Sequence, residues 1–157
     1  MGRRAQIQMT DDEVRAFLSE ERTVICATNG PRGWPHLMPL WYLLRATGDG
    51  DAPQVWAWTF AKSQKAVNLG RDPRATLQVE AGESYDQLRG VMLECDVVVH
   101  ADVELVRDFG LELYARYAEV DDDVRAMVDA QAPKRIAMQF VERRRATWDH
   151  RKLGGVY

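Results

Sequence analysis

The residues whose types and spacing could do chemistry lie between Thr59 and Lys65, in Thr59-Phe60-Ala61-Lys62-Ser63-Gln64-Lys65. An alternating strand pattern over Gln54 to Thr59 ends in a threonine. A helical pattern over Lys62 to Leu69 follows it. Two ammonium groups and a hydroxyl therefore gather where the first turn of a helix leaves its backbone N–H groups free. In physical terms that is a phosphate seat, with the lysines acting as point charges. On spacing alone the same residues also read as two solvated lysines on an exposed helix. The sequence has only four lysines, and two of them fall in this one segment.

Other chemistries find little support. No Gly-x-Gly-x-x-Gly run follows a strand, so a dinucleotide site of the doubly wound type is not expected. Cys26 and Cys95 sit inside apolar runs and read as buried thiols of a reducing compartment. They have no metal-like spacing with His36, His100 or His150, and no metal site is expected. His36 can titrate near neutrality, but a lone strand histidine is more often structural, and it is given no catalytic role. No catalytic acid or base is assigned.

The chain has 157 residues, 46% of them hydrophobic, and a formal net charge of −3. That length and composition suit one folded domain over residues 1–157, with 1–9 and 153–157 as tails. The negative net charge gives no bulk attraction to nucleic acid. The apolar runs are too short for a membrane span, and no apolar stretch follows the basic Met1-Gly2-Arg3-Arg4 start. The expectation is a cytoplasmic protein.

The elements that must position the lysines can be read along the chain. Thr10-Asp11-Asp12-Glu13 forms a helix start, with Val14, Phe17 and Leu18 as the buried stripe. Thr23 to Thr28 is a β-branched strand, and Asn29 to Gly33 is turn chemistry. Trp34 to Leu44 is a second strand, with Pro35 and Pro39 at edges or bulges. In the strand at Gln54 to Thr59, Val55 and Ala57 face one way, and Trp56 and Trp58 the other. Arg74 to Glu80 and Gly90 to Ala101 are strands. Asp102 caps a helix whose buried face carries Val103, Val106, Phe109, Leu113 and Tyr117. A further helix runs from Asp121 to about Ala130. Ile136 to Val141 and Arg145 to Asp149 are the last strands. About six antiparallel strands with few helices point to a mainly β protein, a small barrel with helices, not a doubly wound sheet. A half-open barrel of this kind leaves an apolar edge, which two-fold pairing commonly covers.

The ordered motifs also resemble a known family across nearly the whole chain. Gly33-Trp34-Pro35-His36-Leu37-Met38-Pro39-Leu40-Trp41-Tyr42, then Trp58-Thr59 with Lys62-Ser63-Gln64-Lys65, are similar to the pyridoxamine-phosphate-oxidase-like split barrels. So are Asn68-Leu69 with Asp72-Pro73-Arg74-Ala75, Gly90-Val91, Ala101-Asp102-Val103-Glu104 and Trp148-Asp149-His150-Arg151-Lys152-Leu153. The resemblance is strongest to the actinobacterial branch that uses the deazaflavin coenzyme F-420. It implies a six-stranded antiparallel split β-barrel of the FMN-binding type and a homodimer with the cofactor at the subunit interface. It places the ring along Met38, Pro39, Leu40 and Trp41, and phosphate at Thr59, Lys62, Ser63 and Lys65. Trp148, Arg151 and Lys152 would approach from the second subunit. The implied activity is an oxidoreductase that passes a hydride from the deazaflavin to a conjugated or heterocyclic small molecule. An FMN-dependent enzyme of the same fold, and a non-catalytic carrier of a cofactor or tetrapyrrole, are the alternatives. Gln64 stands where the flavin-dependent oxidases of the family carry an arginine, a departure from the classical oxidase pattern.

Overall fold

In the computed structural model, which describes residues 2–155, Thr10 sets the first well-defined helix. Its Oγ1 accepts from the Glu13 N–H at 3.2 Å, and the Glu13 carboxylate accepts from the Thr10 N–H at 2.7 Å. This reciprocal cap is the one expected from the sequence. The helix α2 (Asp11–Glu20) that follows it buries Val14, Phe17 and Leu18. A single helical turn, α1 (Arg3–Gln6), precedes it. Just beyond that turn, the Ile7 carbonyl accepts from the Asp149 N–H at 2.7 Å.

Seven strands follow: β1 (Val24–Asn29), β2 (Pro35–Leu40), β3 (Leu43–Arg45), β4 (Gln54–Phe60), β5 (Arg74–Ala81), β6 (Arg89–His100) and β7 (Arg135–Asp149). Helix α3 (Gln64–Arg71) joins β4 to β5, while α4 (Val103–Tyr117) and α5 (Asp122–Gln131) lie between β6 and β7. The strands form one curled sheet in the order β2-β1-β5-β6-β7-β4-β3. Every pair in it is antiparallel. The chain is thus mainly β, a half-barrel with helices.

The sheet has seven strands where six were expected, and the strand boundaries differ in two places. The ribbon read as one strand over residues 34–44 breaks after Leu40, and its halves pair at opposite edges of the sheet. The break is held by side chains of α4. Tyr42 N–H donates to the Tyr117 hydroxyl at 3.0 Å, and an Arg116 Nη1 donates to the Tyr42 carbonyl. Backbone groups that a ladder would use are satisfied sideways instead. At the other end of the chain, β7 runs unbroken where two strands were expected. It absorbs the mismatch as a register shift opposite Glu94/Cys95.

Two apolar clusters share the sheet. One lies within the curl and under α2, around Phe17, Cys26, Tyr42, Leu77, Met138 and Phe140. The other lies between the sheet and α4/α5, around Trp56, Trp58, Phe109, Leu113 and Val128. β4 belongs to both. Val55 and Ala57 point into the first, Trp56 and Trp58 into the second, as the alternation predicts. Gly110 allows α4 to sit close, since a Cβ there would lie 2.5 Å from the Trp58 ring. Among the described residues, no helix is long and apolar enough to cross a membrane.

Candidate functional site

β4 ends at Phe60, and a tight turn follows in which the Ser63 N–H donates to the Phe60 carbonyl at 3.0 Å. Ser63, not Lys62, is the residue that opens the helix. Its Oγ accepts from the Ala66 N–H at 3.3 Å. The expected start at Lys62 therefore moves to Gln64, because only a short side-chain oxygen can take the cap position. At the far end the helix runs through Gly70 to Arg71.

Three of the expected phosphate residues come together. Lys65 Nζ donates to Thr59 Oγ1 at 3.1 Å, and Thr59 Oγ1 lies 3.1 Å from Ser63 Oγ. Lys62 stands outside this knot, exposed on the turn. Lys65 is only 7% exposed, yet among the described residues it has no carboxylate partner. Burial pushes its ammonium below the usual lysine range, and nearby Arg135 pushes the same way, against an opposing contribution from Cys26. The two thiols are raised by burial, Cys26 to about 11 and Cys95 to about 12, so both stay protonated at neutral pH.

The helix is pinned to the sheet by Asn68, which is fully buried. Its Nδ2 donates to Thr28 Oγ1 at 3.0 Å, and its Oδ1 accepts from Gln64 Nε2 at 2.8 Å. Gln64, the departure from the oxidase pattern, thus helps hold the helix that carries Lys65.

The proline-interrupted ribbon divides between two faces. Met38 pairs with Cys26 and Leu40 with Val24, so both lie on the face of those core residues and of the first cluster. Pro39 pairs with Ile25 and lies on the other face. Met38 is 43% exposed and Trp41 46% exposed. Trp41 stacks flat on Tyr117, with ring centroids 4.2 Å apart and planes 5° apart, and Tyr114 meets its edge.

Trp148 and Lys152 lie elsewhere. Trp148 pairs with Gly90 and lies over it so closely that a Cβ at Gly90 would come within 2.3 Å of the indole. Lys152 donates to the Glu13 carboxylate at 2.6 Å and to the Gln8 carbonyl at 2.7 Å. Arg151 pairs with Asp149. These residues are at the far end of β7 from the Thr59 turn, a 15-residue strand of roughly 50 Å at ~3.3 Å per residue. Within one chain they do not meet Lys65.

Two site residues were not expected. Arg135, the first residue of β7, pairs with Phe60 and lies over the rings of Trp58 at 4.3 Å and Phe60 at 3.9 Å. Its Nε donates to Gln131 Oε1 at 2.7 Å. Tyr117 was read only as a buried helix position, and it also supports Trp41. Nothing local in the sequence marks either role, because both depend on strand register and helix docking.

The family model for pyridoxamine 5'-phosphate oxidase matches residues 10–151. The chain belongs to this family. No curated protein matches the sequence. Among solved structures, the chain is similar to the conserved hypothetical protein Rv2991 from Mycobacterium tuberculosis, at 40% identity and a TM-score of 0.85 over 100% of this chain and 95% of that one. It also resembles a structure described as an F420 reductase, at 16% identity and a TM-score of 0.67, over 87% of this chain and 98% of that one. A third is HutZ, a heme storage protein from Vibrio cholerae, at 13% identity and a TM-score of 0.65, covering 90% and 95%. The last two likenesses establish the pyridoxamine 5'-phosphate oxidase fold and no more. The seven-stranded half-barrel is this family's scaffold in the present chain.

Proposed function

We propose that the chain is a deazaflavin-dependent oxidoreductase that uses coenzyme F-420 to reduce a conjugated or heterocyclic small molecule, working as a homodimer. One observation carries the reading: a nearly buried lysine with no carboxylate partner among the described residues, bonded to the Thr59 hydroxyl, which in turn meets the Ser63 hydroxyl at the start of a helix. Burying an ammonium without a counter-charge is costly, and an anionic ligand group would remove that cost. Thr59, Ser63 and Lys65 fit a phosphate, with Lys62 as an outer charge. Met38 and Leu40, on the same face as Cys26, and Trp41 on its Tyr117 support offer an apolar ribbon for a planar ring. The reduced ring supplies a hydride when bound. The protein's own part is to fix the ring and the acceptor and to keep water out.

The dimer reading rests on the outward sheet face. Leu37, Ala27, Thr76, Glu94 and Arg144 form one cross-strand row, and Pro39, Ile25, Gln78, Met92 and Ala146 the next. These residues are half-exposed or exposed, and most are apolar. A face of this kind suits a two-fold partner. Trp148 pairs with Gly90 at the end of the same face. In a pair it would face the partner, whereas Lys152 would first have to leave Glu13.

FMN would use the same phosphate seat, so the cofactor is decided by titration. Purified protein is titrated with coenzyme F-420 and with FMN, and binding is followed by fluorescence. Tighter F-420 binding supports the proposal. Tight FMN binding with no response to the deazaflavin overturns it. Firm binding without turnover of a broad acceptor panel would favour a carrier instead.

A further inference from the structure

Trp41 is a large exposed ring that is nevertheless held rigid. It is 46% exposed, yet one face lies flat on Tyr117. Tyr117 cannot swing away, because its hydroxyl accepts from the Tyr42 N–H at 3.0 Å and donates to the Arg22 carbonyl at 2.7 Å. The opposite face of Trp41 meets no ring among the described residues. An indole fixed from behind and open in front has already lost its rotamer freedom, so a flat ligand that stacks on it has less ordering to overcome.

Tyr114 stands at the edge of this plate. Its ring meets Trp41 at 5.8 Å and 76°, and Trp58 at 6.1 Å and 78°, so two tryptophans fix its direction. The residue is half-buried, but its hydroxyl makes no hydrogen bond among the described residues. A phenol held in this way usually ends on a partner. Tyr117, three residues further along α4, shows the contrast, with its hydroxyl engaged by backbone groups on several sides. The open hydroxyl therefore belongs to Tyr114 and not to α4 in general.

The two features select one chemistry. The face of an indole is rich in electrons and stacks best with a ring that is poor in them. A ring that accepts a hydride must be electron-poor for its own reasons. The Tyr114 O–H, placed at the edge of the stack, can donate to an oxygen that projects from such a ring.

We propose that the free face of Trp41 and the hydroxyl of Tyr114 seat the acceptor substrate, and that this substrate is a flat, electron-poor ring carrying a carbonyl oxygen, as in a quinone. This rests on the oxidoreductase reading above and names its substrate class. Trp41 supplies the stacking surface, and Tyr114 is the specificity-determining residue that recognises the oxygen.

The test is equilibrium dialysis of the full chain, without cofactor, against duroquinone and against durene, the hydrocarbon with the same ring and methyl groups but no oxygen. The variants are Tyr114→Phe, Trp41→Leu and Trp34→Leu, each checked for an unchanged melting transition. Trp34→Leu is the control, since Trp34 is 75% exposed and stacks on no ring among the described residues. The bound-to-free ratio of wild type should be at least about threefold higher for duroquinone than for durene, as one hydrogen bond provides. Tyr114→Phe should lose about three- to tenfold for duroquinone and stay within about twofold for durene. Trp41→Leu should lose about fivefold for both, and Trp34→Leu should lose neither. No retention of duroquinone by wild type, no selective loss in Tyr114→Phe, or a loss in Trp34→Leu equal to that in Trp41→Leu overturns the proposal. Any of these results beside firm F-420 binding leaves the cofactor reading standing. Selective duroquinone binding in a protein that does not bind F-420 sinks the cofactor reading and leaves the quinone seat.

Discussion

Lys65 carries most of the proposed chemistry at the scale of single residues. Lys65→Ala should weaken cofactor binding by about 1.5–3 kcal/mol, the range for a charge-assisted hydrogen bond, as read by fluorescence titration. Unchanged affinity would mean that the anion sits elsewhere. The same residue sets a pH dependence. Its folded pKa is lowered by burial, so the folded protein gives up this proton at lower pH than the unfolded chain does. Between the two values the unfolded state binds more protons, and this residue's contribution to stability rises with pH. Below the folded value the charged ammonium keeps its full burial cost. Wild-type melting temperature should therefore gain on that of Lys65→Met as alkaline pH is approached. Anion affinity should fall over the same interval, because the neutral amine no longer attracts phosphate. A difference between the two proteins that is flat with pH would contradict this.

Elements show why part of the site was legible in the sequence and part was not. Thr59, Ser63 and Lys65 could be read because a strand end and the following helix start are neighbours in the chain, and local chemistry decides both. Arg135 could not, because its place beside Phe60 follows from the register of β4 on β7. The ribbon break was also hidden. Pro35 and Pro39 drew attention to the wrong positions, while the break at Trp41-Tyr42 depends on α4. There Arg116 donates to the carbonyls of Leu18, Ser19 and Glu21 at 3.1, 2.9 and 2.6 Å as well as to Tyr42. It thus closes the open end of α2 and fixes the ribbon at once. Arg116→Met should cost about 1–3 kcal/mol by denaturant unfolding, since three part-buried carbonyls and one exposed one lose a charged donor. It should also loosen the Trp41 stack, seen as altered tryptophan fluorescence. Gly90→Ala tests the other tryptophan contact. The added methyl meets the Trp148 indole, and overpacking of this kind costs about 1–3 kcal/mol.

For the whole molecule, strand alternation and helix caps were enough to foresee a small antiparallel barrel. They were not enough to foresee which edges meet, since β2 and β3 are close in sequence yet end at opposite sides of the sheet. The outward face is the place to test assembly. Met92→Glu puts a charge into the Pro39–Ile25–Gln78–Met92–Ala146 row and should shift the protein to a monomer in sedimentation velocity. It should also weaken cofactor binding if the ring site is shared between protomers. A variant that sediments like wild type would place the interface on another surface.

β4 is a partition wall with a room on either side, and the anchor of the proposed ligand seat stands at its end. Such a wall cannot shift toward one side without pressing on the other. Repacking between the sheet and α4/α5, at Phe109 or Val128, would therefore be felt at Thr59 on the other side of the wall. Amide exchange at Val55 to Trp58 should be among the slowest in the protein, and a mutation in either compartment should quicken it.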